Sequence, residues 1–253
     1  MSHKTDSESD LKQAVVSEDV VAEKNPGLPR PYYQDEHVTL YHGDCRELLP
    51  LIEPADALVT DPPFGIGFKY ETKESHSSAG PYYDWLMPLL NAAKLKDGAL
   101  FAVWQAQLYF KYFWQYFGDD IHIYCAAKNF VQLRKTAINY GYDPVVMKYL
   151  SGDSLRPKKP KRNMDFFVSN TAGIISDTTR IEKAHPCPRP LDGVKQIVDN
   201  FVVENGLILD LFAGSGTTLL AAKQTKRKAI GVEIEEKYCE VAANRMRQEV
   251  LGL

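Results

Sequence analysis

A Rossmann-like α/β fold, with a mostly parallel sheet and helices on both faces, is predicted by three features of the chain. Short apolar runs such as Ala57-Leu58-Val59 are continuous rather than alternating, as expected of strands covered on both sides. Such runs alternate with stretches of helical spacing from about residue 37 to residue 248. Near the C-terminus, Leu207 to Leu211 leads through Phe212-Ala213-Gly214-Ser215-Gly216 into a helix, the turn whose glycines let a backbone approach a ligand beyond a central strand.

In order, His37 to Tyr41 is extended and Arg46 to Leu51 helical, and a strand at residues 55–60 runs into Asp61-Pro62-Pro63, where the prolines end it and open a loop. The stretch from Gly65 to Gly80 is rich in glycine and serine and reads as a flexible loop beside the site. Pro81 to Lys96 has helical spacing (Trp85, Leu86, Leu89, Leu90, Ala93), with Gly98 as a stop before a strand from Ala99 to Trp104. Ala106 to Phe117 reads as an aromatic helix. Its stripe could stack bases, but the area that aromatics bury favours core or subunit-interface packing. Strands are expected at Ile121 to Ala126 and Val145 to Leu150. After a break come a helix at Leu191 to Val203, a strand at Leu207 to Leu211, a helix at Thr217 to Thr225, a strand at Lys228 to Val232 and a closing helix at Glu235 to Gln248.

A chain of 253 residues with a 44% hydrophobic share can build one large core or two small ones. No apolar run approaches the roughly 20 residues of a membrane span, and the charged first ten residues lack a signal-peptide core. A cytoplasmic location without membrane contact is therefore expected. The cysteines Cys45, Cys125, Cys187 and Cys239 are scattered without a C-x-x-C pair, which signals neither a zinc site nor a disulfide framework. Residues 1–36 read as a flexible N-terminal tail, with eight acids against four bases, and residues 37–253 as a single domain. A net charge of -3 argues mildly against nucleic-acid binding, but Lys148 to Lys183 holds eight bases against four acids. Within that interval residues 151–184 interrupt the regular alternation and look inserted. Lys158, Lys159, Lys161 and Arg162 there, interleaved with prolines, suit phosphate contacts that position a duplex without reading it.

The glycine turn is a weak signal alone, and two residues strengthen it. Glu233 ends the next strand, 19 residues after Gly214, where a carboxylate can accept both hydroxyls of a ribose, and Asp210 precedes the glycines. The loop lacks the full G-x-G-x-x-G of dinucleotide sites, and no lysine follows Gly216 as a phosphate loop demands. S-adenosylmethionine is thereby preferred over NAD or ATP, with Asp210, Phe212, Ala213, Gly214, Ser215, Gly216, Thr217 and Glu233 as its contacts.

Asp61-Pro62-Pro63-Phe64 suits the other half of a methyl transfer. An exocyclic amine on adenine or cytosine is a poor nucleophile, because its lone pair is delocalised into the ring. The Asp61 carboxylate and the Pro62 carbonyl can both accept from such an NH2, Pro63 stiffens the turn, and Phe64 offers a stacking face. A duplex base would have to be flipped out to arrive there.

With the amine-holding tetrapeptide first and the cofactor loop about 150 residues later, the chain resembles the circularly permuted beta class of DNA amino-methyltransferases over roughly residues 37 to 248. The resemblance implies further cofactor contacts. His42-Gly43-Asp44-Cys45 matches an adenine-end motif, adding Asp44 and Cys45, and Asp61 is shared with the cofactor. His185-Pro186-Cys187-Pro188-Arg189-Pro190 resembles an H-P-x-x-K-P segment that packs on the methionine end, adding His185, Pro186 and Arg189, with arginine in place of the usual lysine. It places target recognition in residues 151–184 and double-stranded DNA as the partner, and leaves room for a homodimer and a cognate restriction endonuclease. In that family aspartate at the first position of the tetrapeptide goes mainly with N6-adenine and serine with N4-cytosine, so site-specific N6-adenine methylation is expected and N4-cytosine is the alternative. RNA or a protein glutamine amide as substrate, or a regulator without turnover, are competing readings. Asn in place of Asp61 would suit the amide, and lost glycines the regulator.

Overall fold

The computed structural model describes residues 27–64, 78–128, 141–150, 165–169 and 189–250. Among them nine strands form one sheet in the order β1-β2-β9-β8-β3-β4-β6-β5-β7. The strands are β1 (Tyr33–Gln34), β2 (Val38–His42), β3 (Ala55–Thr60), β4 (Leu95–Trp104), β5 (His122–Lys128), β6 (Tyr142–Tyr149), β7 (Phe166–Ser169), β8 (Leu207–Asp210) and β9 (Lys228–Glu233). From β2 to β4 every neighbouring pair is parallel, whereas β6 runs antiparallel to both β4 and β5. The sheet is therefore mixed, with a parallel centre.

Helices α1 (Cys45–Leu48), α2 (Ala79–Ala92) and α3 (Phe113–Phe117) cover one face, and α4 (Leu191–Phe201), α5 (Thr217–Gln224) and α6 (Glu236–Val250) the other. The two-residue period of β3 shows why both faces must be apolar. Ala57 and Val59 join the core under α4 to α6, and Leu58 joins the core under α1 to α3. All three are fully buried.

The topology fixes where a ligand can sit. From β8 the chain passes through α5 to β9 on one side, and from β3 it passes through α2 to β4 on the other. The winding reverses between β8 and β3, and the crevice at the carboxyl ends of two such strands is where open α/β sheets bind ligands.

Three expectations are corrected. The ordered sheet begins before His37, because Tyr33 and Gln34 pair antiparallel with Leu40 and Thr39, and the Asp35 carboxylate accepts from the His37 and Val38 N–H groups to close the turn. Gly98 does not stop α2. It lies inside β4 at φ +73°, beside a register slip between Ala55 and Ala57, so the strand starts at Leu95. The aromatic stretch is a 3-10 turn over Gln107–Tyr112 followed by the short α3, the Tyr109 N–H bonding back three residues to Ala106. Tyr109, Phe113 and Phe117 are buried, as packing predicts, while Leu108, Phe110 and Trp114 face out. Of the stretch from Gly65 to Gly80 expected as a loop, residues 65–77 lie outside the described residues and Ala79 and Gly80 belong to α2; residues 1–26 and most of 151–184 also lie outside them.

Candidate active site

The two loops named by the sequence leave neighbouring strands and are tied together at their roots. Thr60, the last residue of β3, donates its hydroxyl to Asp210 at 2.7 Å and accepts from the Leu211 N–H at 3.2 Å. Asp210 also takes the Phe212 N–H at 3.2 Å. Its carboxylate is buried, and burial pushes its pKa up to about 6. Asp210 thus holds the glycine turn from behind and locks it to the strand that carries Asp61.

Asp61 stands at the open end of β3 with its side chain 25% exposed, and both its oxygens are engaged by Arg189, from Nε at 2.6 Å and from Nη2 at 2.8 Å. The third arm of the guanidinium, Nη1, donates to Asp143 of β6. Gln107 also donates to Asp143, at 3.1 Å. The guanidinium carbon lies 4.9 Å from the centre of the Phe64 ring. Pro62 is buried, whereas Pro63 and Phe64 are partly exposed. The tetrapeptide is thus presented at the surface of the crevice.

On the β9 side Glu233 is buried, and each of its oxygens takes a backbone N–H: Oε2 from Gly214 at 2.7 Å and Oε1 from Glu235 at 2.9 Å. Burial outweighs these donors and pushes its pKa up to about 7. Glu233 opens onto a cleft walled by Trp85, Leu89 and Phe212, with the Trp85 and Phe212 rings 5.7 Å apart, and bounded at its far side by Gly43 to Arg46. A carboxylate able to accept further hydroxyl donors beside aromatic and aliphatic walls fits a nucleoside. Asp44 and the buried Cys45 line this cleft too. Asp44 also caps α1, accepting from the Arg46 N–H at 2.8 Å, and the Arg46 guanidinium holds its pKa below the usual carboxylate range.

The glycine turn is braced from α6. Gly214 has φ +50° and Gly216 φ +76°, the left-handed region that glycine adopts freely. Arg245 donates to the Ser215 carbonyl at 2.7 Å and to the Thr217 hydroxyl at 3.1 Å. Ala213, Ser215 and Thr217 are buried, and with Phe212, Asp61 and Arg189 they line a second, polar cleft next to the first. Phe212 borders both.

The fold therefore gathers Asp44, Cys45, Asp61, Pro63, Arg189, Asp210, Phe212, Ala213, Ser215, Thr217 and Glu233 around one crevice. His185, Pro186, Lys158, Lys159, Lys161 and Arg162 lie outside the described residues. Thr60, Trp85, Asp143 and Arg245 complete the site without having been singled out in the sequence. Trp85 reads there only as an apolar position of α2, and nothing local marks Asp143 or Arg245.

Residues 119–244 match the DNA methylase family of N6 and N4 methyltransferases. The chain is 27% identical over 275 residues to the type II methyltransferase M.ScaI of Streptomyces caespitosus, a similarity covering 92% of this chain and 89% of the relative. It is 23% identical to the DNA adenine methyltransferase YhdJ of Escherichia coli (strain K12), over 85% of this chain and 84% of that protein. Among solved structures, the PvuII DNA methyltransferase (cytosine-N4-specific) aligns with a TM-score of 0.65 at 20% identity, covering 85% of this chain and 88% of that one. The M1.HpyAVI-SAM complex aligns with a TM-score of 0.62 at 19% identity, covering 83% and 98%. No helix among the described residues is long and apolar enough to cross a membrane. The family match and the relatives together support an amino-methyltransferase, and the solved structures show the same α/β fold.

Proposed function

We propose that the protein transfers a methyl group from S-adenosylmethionine to the N6 amine of adenine in double-stranded DNA, at a specific site, after flipping the base out of the helix. The observation that carries this reading is the seating of Asp61-Pro62-Pro63-Phe64 at the end of β3, one strand from the glycine turn at the end of β8. The clefts fit the cofactor. Glu233 would take the ribose hydroxyls, Trp85 and Phe212 would flank the adenine, and Asp44 would lie at its edge. When bound, S-adenosylmethionine supplies an electrophilic methyl group.

The chain's own residues do the rest. The Asp61 carboxylate and the Pro62 carbonyl accept the two amine hydrogens, which turns the nitrogen lone pair out of the ring plane and toward the methyl donor. Phe64 stacks on the flipped ring. As the N–C bond forms the methyl–sulfur bond would break and leave a neutral thioether; the nitrogen, then cationic, would lose a proton to solvent, and the adjacent Asp61 carboxylate stabilises the charge until it does. Aspartate at position 61 and the similarity to an adenine methyltransferase favour adenine. N4-cytosine is the second reading, supported by the likeness to a cytosine-N4-specific enzyme. The beta-class motif order, target recognition by residues 151–184 and phosphate contacts by Lys158, Lys159, Lys161 and Arg162 belong to the same proposal. The type II relatives support a cognate endonuclease as a partner. Incubation of unmodified DNA with tritiated cofactor, followed by nucleoside digestion, should label N6-methyladenine. Label only in N4-methylcytosine would transfer the assignment to cytosine, and label in neither would end it.

A further inference from the structure

Arg189 holds three groups at once. Its Nε and Nη2 cover both oxygens of Asp61, its guanidinium carbon lies 4.9 Å from the Phe64 ring centre, and its Nη1 reaches Asp143. A planar donor between a carboxylate and an aromatic ring occupies the same two contacts that an amino-bearing base needs in the proposed reaction. On that reading of the site, we propose that Arg189 is a placeholder for the flipped base, and that Asp143 is the anchor that keeps its guanidinium when the base arrives.

The direction of the exchange follows from burial. The Asp143 side chain is 8% exposed and that of Asp61 25%, so stranding Asp143 without its cation is the costlier outcome. An incoming base therefore takes over Asp61, while the guanidinium stays on Asp143. Arg189 precedes Pro190, the N-cap of α4, and a proline restricts the backbone of the residue before it, which favours movement of the side chain. The exchange also selects. An amine edge brings hydrogens to replace those that Arg189 withdraws from Asp61, whereas a keto edge would set oxygen against a carboxylate. Thymine and uracil, with keto oxygens in place of the amine, compete less well with the arginine for Asp61, so Arg189 is a positioning residue. Asp143, which does not meet the base, acts through it.

The test is a steady-state series on unmodified DNA at saturating S-adenosylmethionine, comparing wild type with Asp143→Asn, Arg189→Gln and the double variant. With Asp143→Asn the arginine loses the carboxylate that would keep it away from Asp61, and KM for DNA should rise roughly tenfold while kcat changes less. Adding Arg189→Gln should bring KM back to the wild-type range, since the obstacle is gone. A merely structural tie predicts that the double variant is no better than Asp143→Asn alone, and that result would overturn the exchange. Should Asp143→Asn lose its cooperative melting transition, Arg189→Lys decides. Lysine cannot cover two carboxylates and a ring face together, so KM should fall, and an unchanged or raised KM counts against the exchange. A wild type that methylates no DNA would remove the parent assignment and this inference with it; methylation without rescue would remove only this inference.

Discussion

In the proposed reading Glu233 grips the cofactor ribose, and its protonation would make that grip depend on pH. In the free protein burial pushes it up to about 7 from the ordinary 4.5. Ribose hydroxyls donate more strongly to the charged form, so binding draws the value down again and releases a proton. Affinity for S-adenosylmethionine should therefore rise between about pH 6 and about pH 8, and Glu233→Gln should abolish both the slope and most of the affinity. Calorimetry in buffers of different ionisation heat measures the proton directly. For folding of the free protein the sign is opposite. An acid raised in the folded state favours folding below its unfolded value, and that contribution is lost as pH rises from 4.5 to about 7. Asp61 makes a different demand. Replacing it with Ala would remove one of the two proposed amine acceptors, whose worth is greatest at the transition state, and turnover should fall roughly 10²- to 10⁴-fold. Cofactor affinity should change modestly and the fold should survive, since Arg189 keeps Asp143 as an ion-pair partner when Asp61 is lost. Near-normal single-turnover rates in Asp61→Ala would refute the role given to the tetrapeptide.

Among the elements, the glycine turn has a packing role besides the binding role proposed for it. A β-carbon on Gly216 would stand 2.8 Å from that of Ala242, at a backbone φ of +76° that already disfavours a side chain. Gly216→Ala should therefore push α6 away from the turn and cost about 1–3 kcal/mol, read as a lowered urea midpoint with an unchanged slope. The turn is legible in the sequence as a strand, glycines and a helix. That α6 returns to brace it through Arg245 is not, because nothing in the spacing between Ser215 and Arg245 says that the two will meet. The aromatic stretch shows the same boundary. Its composition predicts packing, and Tyr109, Phe113 and Phe117 do pack, but the 3-10 geometry of Gln107–Tyr112 was settled by the fit of those rings against the sheet.

At the scale of the whole molecule, the net charge of -3 obliges a DNA partner to find a local basic surface. Lys158, Lys159, Lys161 and Arg162 offer one in sequence. Neutralising all four should weaken DNA binding and lower the slope of log affinity against log salt by up to about 4, with cofactor affinity unchanged. An unaltered salt slope in filter binding would place the phosphate contacts elsewhere. Local pattern was enough to predict a doubly covered α/β protein with a diproline at one strand end and a glycine turn at another, because a period of two or 3.6, a diproline and a glycine turn are properties of neighbours in the chain. The tertiary structure alone decided that β8 lies beside β3, that Thr60 locks Asp210, and that Arg189 spans Asp61 and Asp143. Those contacts join residues 46 to 150 positions apart. Side chains so distant are brought together by burial of the whole sheet, and no local preference encodes which of them will meet.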